Sequence, residues 1–352
     1  PAGGVIGSAI VGEANGVSSI IGFDMGGTST DVSRYNGSFS KSSEIEAAGI
    51  KFQTSSLDIE TVAAGGGSLL LFDGQRLQVG PESAGAIPGP VCYGLGGKLT
   101  VTDANLILGR INPDFFPQVF GFNRNESLDI TKTRLAFEEL RDTVNSRTNT
   151  SFSVEELALG FINIANEKMS SAIKKVSVSR GYDVRNHSLV CFGGAAPQHC
   201  CGIARTLGIK EVIIHPLSSL LSAYGIANAE QFRYGVKSVI VEYTKKSYLE
   251  CISELELLEL PLIDEIIDFG ISMDNISREK FLDLRVKGTD KYLTIPFADY
   301  EVMIEEFSLR HKELFGFSPP NKLEIVNLRT EVNGQRSKIT DLPNVNIDKF
   351  PI

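Results

Sequence analysis

Residues 20–37 read IIGFDMGGTSTDVSRYNG. An apolar run ends in Asp24, two glycines follow, then Thr28, Ser29 and Thr30, then a second acid, Asp31. That order predicts two short strands joined by a phosphate-binding hairpin. Gly26 and Gly27 let backbone N–H groups approach an anion with no Cβ in the way. Thr28, Ser29 and Thr30 add hydroxyl donors, and Asp24 and Asp31 are the pair that would hold a hydrated magnesium ion, which takes one or two carboxylates together with phosphate oxygens. Asn36-Gly37 is a hairpin signal at the end of the second run. Asp-x-Gly-Gly alone also occurs as a plain tight turn. The longer string after an apolar strand is more specific. It is not the Gly-x-x-x-x-Gly-Lys-Ser/Thr loop, whose nearest look-alike, GLGGKLT at 94–100, has leucine after its lysine and reads as an ordinary loop.

Composition narrows the classes. The 352 residues can bury a large core and suit two domains, and 42% hydrophobic with 22% charged residues is ordinary for a globular protein. A net charge of −9 without a basic stripe argues against a nucleic-acid partner. No apolar run reaches membrane-spanning length, so no membrane role is expected. Five scattered cysteines show no metal-type spacing and fit reduced thiols in a cytoplasmic enzyme. The N-terminus lacks the basic segment of a signal peptide. Opening on Pro1, PAGGVIG, the chain reads as a piece of a longer protein.

Along the chain, residues 1–19 read as a glycine-rich turn and a short helix of small residues. Residues 20–24, 31–35 and 38–46 read as a three-stranded meander. A triple glycine, 65–67, precedes a hairpin of 69–72 and 76–79, and the Gly- and Pro-rich stretch 81–97 reads as an irregular loop. Helices are expected at 131–147, with apolar spacing at Leu135, Phe137 and Leu140, and after a Ser153/Glu156 capping box, with an apolar stripe from Leu157 to Val176. Strand 189–192, Gly193-Gly194, helix 197–207 and strand 211–214 describe a βαβ unit with a parallel pair, which puts a ligand at the carboxyl end of the first strand. Composition shifts near Gln231. Residues 247–280 look helix-prone, and a hairpin, a helix and a strand follow, giving domains at 1–230 and 231–352. The last ten residues read as a weakly ordered tail.

Several strings in the right order resemble the hydantoinase A and 5-oxoprolinase family: GFDMGGTSTDVSRYNG at 22–37, LDIETVAAGGGS at 57–68, VGPESAGAIPGPVCYGLGG at 79–97, TVTDANLILGRINP at 100–113, CFGGAAPQH at 191–199 and SSLLSAYGIA at 218–227. The resemblance covers nearly the whole chain. It implies an α/β fold, an actin-like ATPase lobe of ribonuclease-H type with a mixed sheet and flanking helices, plus a smaller C-terminal α+β domain. It also implies ATP and magnesium as cofactors and a cyclic amide, 5-oxo-L-proline, as substrate, with hydantoins as the alternative, a ketone carboxylase subunit as a third option, and a non-catalytic nucleotide-binding or assembly fragment as the reading from another class. Partners implied are a missing N-terminal lobe with the first phosphate loop and a hydantoinase B-like domain or subunit, in a homo- or hetero-oligomer.

The same resemblance assigns roles. Gly26, Gly27, Thr28, Ser29 and Thr30 grip phosphates, Asp24 and Asp31 are the catalytic, metal-orienting pair, Gly65, Gly66 and Gly67 make a second close approach to nucleotide or substrate, and Gly193, Gly194 and Ala195 form the adenosine turn. Ser222-Ala223-Tyr224-Gly225 resembles the helix that crosses between lobes. Two positions depart from the family pattern: Ala196, where glycine is usual, and Glu60, where His or Asn is usual. Asp103 reads either as a polar site residue or as a helix cap, and His199 as a structural residue or a general base. Cys92, Cys200 and Cys201 have no recognisable base partner in sequence.

Overall fold

The computed structural model describes residues 1–47, 50–317 and 322–335. They separate into two compact units, one from Pro1 to Ala227 and one from Asn228 onward. The expected tail, 343–352, lies outside the described residues.

In the first unit the apolar run becomes β1 (Ser19–Met25), antiparallel to β2 (Thr30–Asn36) with Asp24 opposite Asp31 and Met25 opposite Thr30. The third strand of the expected meander, β3 (Lys41–Ala47), does not join them. It pairs only with β4 (Ile50–Leu57), and β5 (Ile59–Val62) takes the place beside β2. A hairpin of β6 (Ser68–Phe72) and β7 (Leu77–Ser83) stands apart as a second small sheet. β8 (Ser188–Phe192) and β9 (Val212–Ile214) complete the main sheet in the order β5-β2-β1-β8-β9, with β1, β8 and β9 parallel. Counted within this sheet the order is 3-2-1-4-5 with the second strand reversed, the mixed sheet implied for a ribonuclease-H-like lobe.

Helices cover both faces. Residues 1–19 carry no opening turn: α1 (Ala2–Ala14) is helical from its second residue, with Gly3, Gly4, Gly7 and Gly12 inside it. The reason is its partner, α6 (Leu221–Ala227). A Cβ on Gly225 would overlap the Gly3 carbonyl oxygen and come within 2.6 Å of the Gly7 nitrogen, so the two helices cross backbone to backbone. The other face is filled by α4 (Val154–Val176), whose capping box forms as expected between Ser153 and Glu156. Its stripe, Leu157, Phe161, Ala165, Met169 and Ile173, packs on Ile21, Phe23 and Val32 of the sheet. Around it lie α2 (Val101–Ile107), α3 (Ile130–Thr148) and α5 (Cys200–Leu207). On α3, Phe137 is buried but Leu135 is 55% exposed, because two positions turn a side chain roughly 200° around a helix.

The second unit is an antiparallel sheet of β10 (Gln231–Glu242), β11 (Ile276–Val286), β12 (Leu293–Pro296) and β13 (Leu323–Gly334), in the order β10-β13-β11-β12. Its core takes in α7 (Lys245–Asp268) and α8 (Tyr300–Phe315). The helix expected through 280 stops at Asp268. Gly270, at φ +81°, ends it, and 276–286 turn into β11.

Candidate functional site

Three loops meet at the carboxyl ends of β1, β5 and β8. The hairpin tip, 26–29, is closed by a bond from the Gly26 N–H to the Ser29 carbonyl at 3.1 Å. The glycine loop after β5 docks on it: Gly66 N–H donates to the Gly26 carbonyl at 3.0 Å and Gly67 N–H to the Gly27 carbonyl at 2.6 Å. Any Cβ on Gly65 would lie 2.6 Å from the Thr28 nitrogen, so only glycine permits this seating. Thr102, at the start of α2, holds the same loop through its amide (2.8 Å) and hydroxyl (2.9 Å) on the Gly66 carbonyl. After β8, Ala195 N–H donates to the Met25 carbonyl at 3.0 Å, and Gly193 takes φ +86°, its Cα turned against the Asp24 carboxylate where a side chain would collide. Gly194 is exposed beside it.

This scaffolding occupies the carbonyls of Gly26 and Gly27 and leaves their neighbours' donors open. Among the described residues, the N–H groups of Gly27, Thr28 and Ser29 have no protein acceptor, and Gly27 and Thr28 face solvent. Successive free N–H groups in a turn are an anion-binding concavity. Thr30 departs from its expected role. It is fully buried and its hydroxyl donates to the Ala64 carbonyl at 2.5 Å, so it braces the hairpin from below instead of facing a ligand. The alternation of a strand sets that direction: Thr30 is the first residue of β2, one step from Asp31 and on the other face.

Asp24 and Asp31 are direct cross-strand partners and stand on one face. Burial first, and then the negative charge of Asp31, hold the Asp24 carboxyl above its usual range, with Ser222 pulling it back. The Ser222 hydroxyl, on α6, reaches Asp24 Oδ2 at 3.4 Å, and Asp31 Oδ1 accepts from Thr61 at 2.6 Å. Like charges opposed across a ladder destabilise a sheet. A divalent cation between them would remove that cost, and two carboxylates beside open N–H donors suit magnesium with a phosphate. No group of three or more His, Cys, Asp and Glu side chains gathers among the described residues.

Other candidates resolve as structure. Asp103 is fully buried and accepts from the amides of Val91, Cys92 and Thr100 and the Thr100 hydroxyl, at 2.8–3.1 Å, serving as the third helical residue of a capping box. His199 is 1% exposed between Asn166 (2.8 Å) and Asn105 (3.0 Å), and burial pushes its pKa down to about 3, so it is a neutral core residue. Glu60 pairs with Lys175 on the surface, and the Ala196 methyl is buried in the α4 core. Burial and then Asp103 raise the Cys92 thiol, the reverse of an activated nucleophile. Sequence reasoning missed Thr102 as a clamp and Ser222 as a partner of Asp24. The one local hint was the run of small residues in α1 and α6 that lets α6 come so close.

Comparison with known proteins follows this geometry. A hydantoinase/oxoprolinase family model matches residues 1–233. The 5-oxoprolinase 1 of Arabidopsis thaliana is 45% identical over 302 residues, covering 84% of this chain and 24% of that protein. The crystal structure of the ATP-dependent caprolactamase from Pseudomonas jessenii matches with a TM-score of 0.77 at 31% identity, over 96% of this chain and 50% of that one. The nucleotide-free acetone carboxylase matches with a TM-score of 0.73 at 23% identity, over 96% and 49%, a likeness of fold. The chain thus spans about a quarter of the plant relative's length. No helix among the described residues is long and apolar enough to cross a membrane. The chain belongs to the hydantoinase/oxoprolinase family.

Proposed function

We propose that this chain is the phosphate-gripping lobe of an ATP-dependent enzyme that opens a cyclic amide, converting 5-oxo-L-proline to L-glutamate as ATP becomes ADP and phosphate. The observation that carries the reading is the tip at 26–29: three open N–H donors between two opposed carboxylates. The 45% identity to a 5-oxoprolinase favours 5-oxoproline over a hydantoin, and the likeness to an ATP-dependent caprolactamase supports a lactam as the substrate class.

An unstrained lactam is a poor electrophile with a poor leaving group. Transfer of the terminal phosphoryl group to the amide oxygen makes the ring carbon an acceptor for water; the adduct expels the ring nitrogen, which takes up a proton as the C–N bond breaks, and a second water splits the resulting acyl phosphate into carboxylate and phosphate. Charge develops on phosphate oxygens during transfer, so fixed donors contribute most of the protein's share. Gly27, Thr28 and Ser29 present such donors without reorganisation, since Gly66 and Gly67 hold the loop from behind. The Thr28 and Ser29 hydroxyls extend the same grip. Asp24 and Asp31 would hold magnesium, which supplies positive charge to the phosphates when bound. Gly193, Gly194 and Ala195 provide the floor for the adenosine, with Gly193 kept small by Asp24. A second lobe and a hydantoinase B-like partner complete the enzyme in this reading, in an oligomer.

The test is ADP release measured with and without 5-oxoproline in the full-length enzyme with its hydrolytic partner present. ADP formation that depends on 5-oxoproline, with glutamate in equal yield, is expected. ADP formation indifferent to 5-oxoproline but stimulated by a hydantoin would transfer the reading to the alternative substrate.

A further inference from the structure

A second cluster of unmet polar groups lies on the opposite face of the main sheet from Asp24. Arg34 on β2 pairs with Ile21 of β1, and Ile21 pairs in parallel with Leu189 of β8. Paired residues on neighbouring strands share a face, so these three stand in a row. His187, two residues before Leu189, continues that face. Ile21 is three residues before Asp24, about 10 Å along the strand and of opposite parity.

Both polar residues are buried, Arg34 at 9% and His187 at 7% exposure. Among the described residues only Nη2 of Arg34 has a hydrogen-bond partner, the Ser40 hydroxyl at 3.3 Å, while its Nε and Nη1 have none. The guanidinium lies 3.6 Å from the centre of the Tyr182 ring, and no carboxylate among the described residues pairs with it. Leaving buried donors unmet costs about 1–3 kcal/mol each. His187 Nδ1 is 3.0 Å from the Asp183 carbonyl oxygen. A carbonyl can only accept, so Nδ1 carries the proton. Burial, opposed by the Asp183 carbonyl and reinforced by the charge of Arg34, holds the imidazole below its usual range. The ring is therefore neutral, and its Nε2, which also has no partner, is a bare acceptor. Tyr182 and Asp183, which touch these two residues, also line a cleft of about 460 Å³ together with Val184, Arg185 and Leu207.

We propose that Arg34 and His187 form an anion subsite for a phosphate that retains an O–H, either free or as a monoester, entered from that cleft past Tyr182. Arg34 donates to two phosphate oxygens, and the phosphate hydroxyl donates to His187 Nε2. The combination of donors with one acceptor is what separates such a phosphate from sulfate, which has no proton to give at neutral pH.

The experiment is calorimetric titration of the full-length enzyme, saturated with a non-hydrolysable MgATP analogue that fills the phosphate-binding tip proposed above, with inorganic phosphate, glycerol phosphate and sulfate. Saturable phosphate binding, at least tenfold weaker for sulfate, is expected. His187→Phe should bring the two anions level, and Arg34→Gln should abolish binding. Arg34→Lys keeps the charge and serves if Arg34→Gln does not fold, with a loss of at least tenfold expected. Glycerol phosphate binding more tightly than phosphate assigns the site to monoesters, and the reverse order to free phosphate. No saturable binding of either, sulfate binding as tightly as phosphate, or binding unaltered in both Arg34→Lys and His187→Phe would overturn the proposal.

Discussion

Asp24 and Asp103 sit beneath glycine-rich loops, and in both burial pushes the carboxyl upward. Their surroundings differ in kind. Asp103 accepts four hydrogen bonds, three from backbone amides, and ties the 91–93 turn to the start of α2. Asp24 receives one long contact from Ser222 and faces a second acid. The Val91 and Cys92 N–H groups of the loop above Asp103 are met by that carboxylate, whereas among the described residues the loop above Asp24 holds three N–H donors without protein acceptors. A carboxylate that organises a fold is saturated. Asp24 is left short of partners, as a carboxylate proposed to work on a ligand would be, and the protein carries that cost in the absence of the ligand.

The largest expected effect comes from removing the charge where partners are short. Asp24→Asn should lower 5-oxoproline-dependent ATP turnover by about a thousandfold or more, on the scale of losing a main electrostatic contact in phosphoryl transfer. Its stability should not fall. The folded pKa of Asp24 lies above its unfolded value, so this group favours folding below the unfolded pKa and that contribution is lost as pH rises through the folded pKa. At neutral pH the ionised carboxylate therefore opposes folding, and Asn removes the opposition. Thermal denaturation at pH 7 should show a midpoint equal to or above the parent's, the difference shrinking in acid. A lower midpoint at pH 7 would make Asp24 a structural carboxylate like Asp103.

Asp103→Ala is the mirror image. It strands three backbone amides in a buried site, each worth about 1–3 kcal/mol, so a loss on the order of 3–9 kcal/mol is expected in urea unfolding. Any material that stays folded should keep its nucleotide affinity within a few-fold. A small stability loss with a large affinity loss would erase the distinction between the two aspartates.

This contrast was only half legible in the sequence. Local patterns carried what local physics controls: β1, its turn and β2 within eighteen residues, the α4 stripe, and the βαβ unit around Gly193-Gly194. Long-range choices were hidden. Nothing in 38–46 says that β5 and not β3 completes the edge, since both are short and the decision lies in which side chains the core accepts. The glycines of α1 read as a turn because helix propensity disfavours them. Their use shows only once α6, more than two hundred residues later, lies against them. Thr30 and Thr28 look alike in sequence, yet Thr30 opens β2 with its side chain in the core, while Thr28 sits at the exposed tip of the turn.

A smaller effect should come from Gly193→Ala. At φ +86° an L side chain is strained by about 1–3 kcal/mol, and the new methyl would press on Asp24 Oδ1. If Asp24 holds the nucleotide's metal as proposed, the loss should appear in ATP affinity by titration, about tenfold, as well as in the denaturation midpoint. Equal loss in Gly194→Ala, where nothing lies within 4 Å, would show that the turn and not the carboxylate is sensitive.

The smallest effect probes the one partner Asp24 does have. Ser222→Ala removes a donor that favours the ionised carboxyl, so the Asp24 pKa, already raised, should rise further. If the ionised form is the working one, the acid limb of the pH–rate profile must move to higher pH. Above pH 8 the variant should come within about two- to fivefold of the parent, the worth of a single weak hydrogen bond. The gap should widen steadily as pH falls. A purely structural serine, placed only to let α6 approach α1, would lower the rate by one factor at every pH and leave the limb where it was. Ser222→Thr, which keeps the hydroxyl, should restore the limb even if its extra methyl costs stability against α1, where a Cβ on Gly4 would lie only 3.0 Å from the serine oxygen.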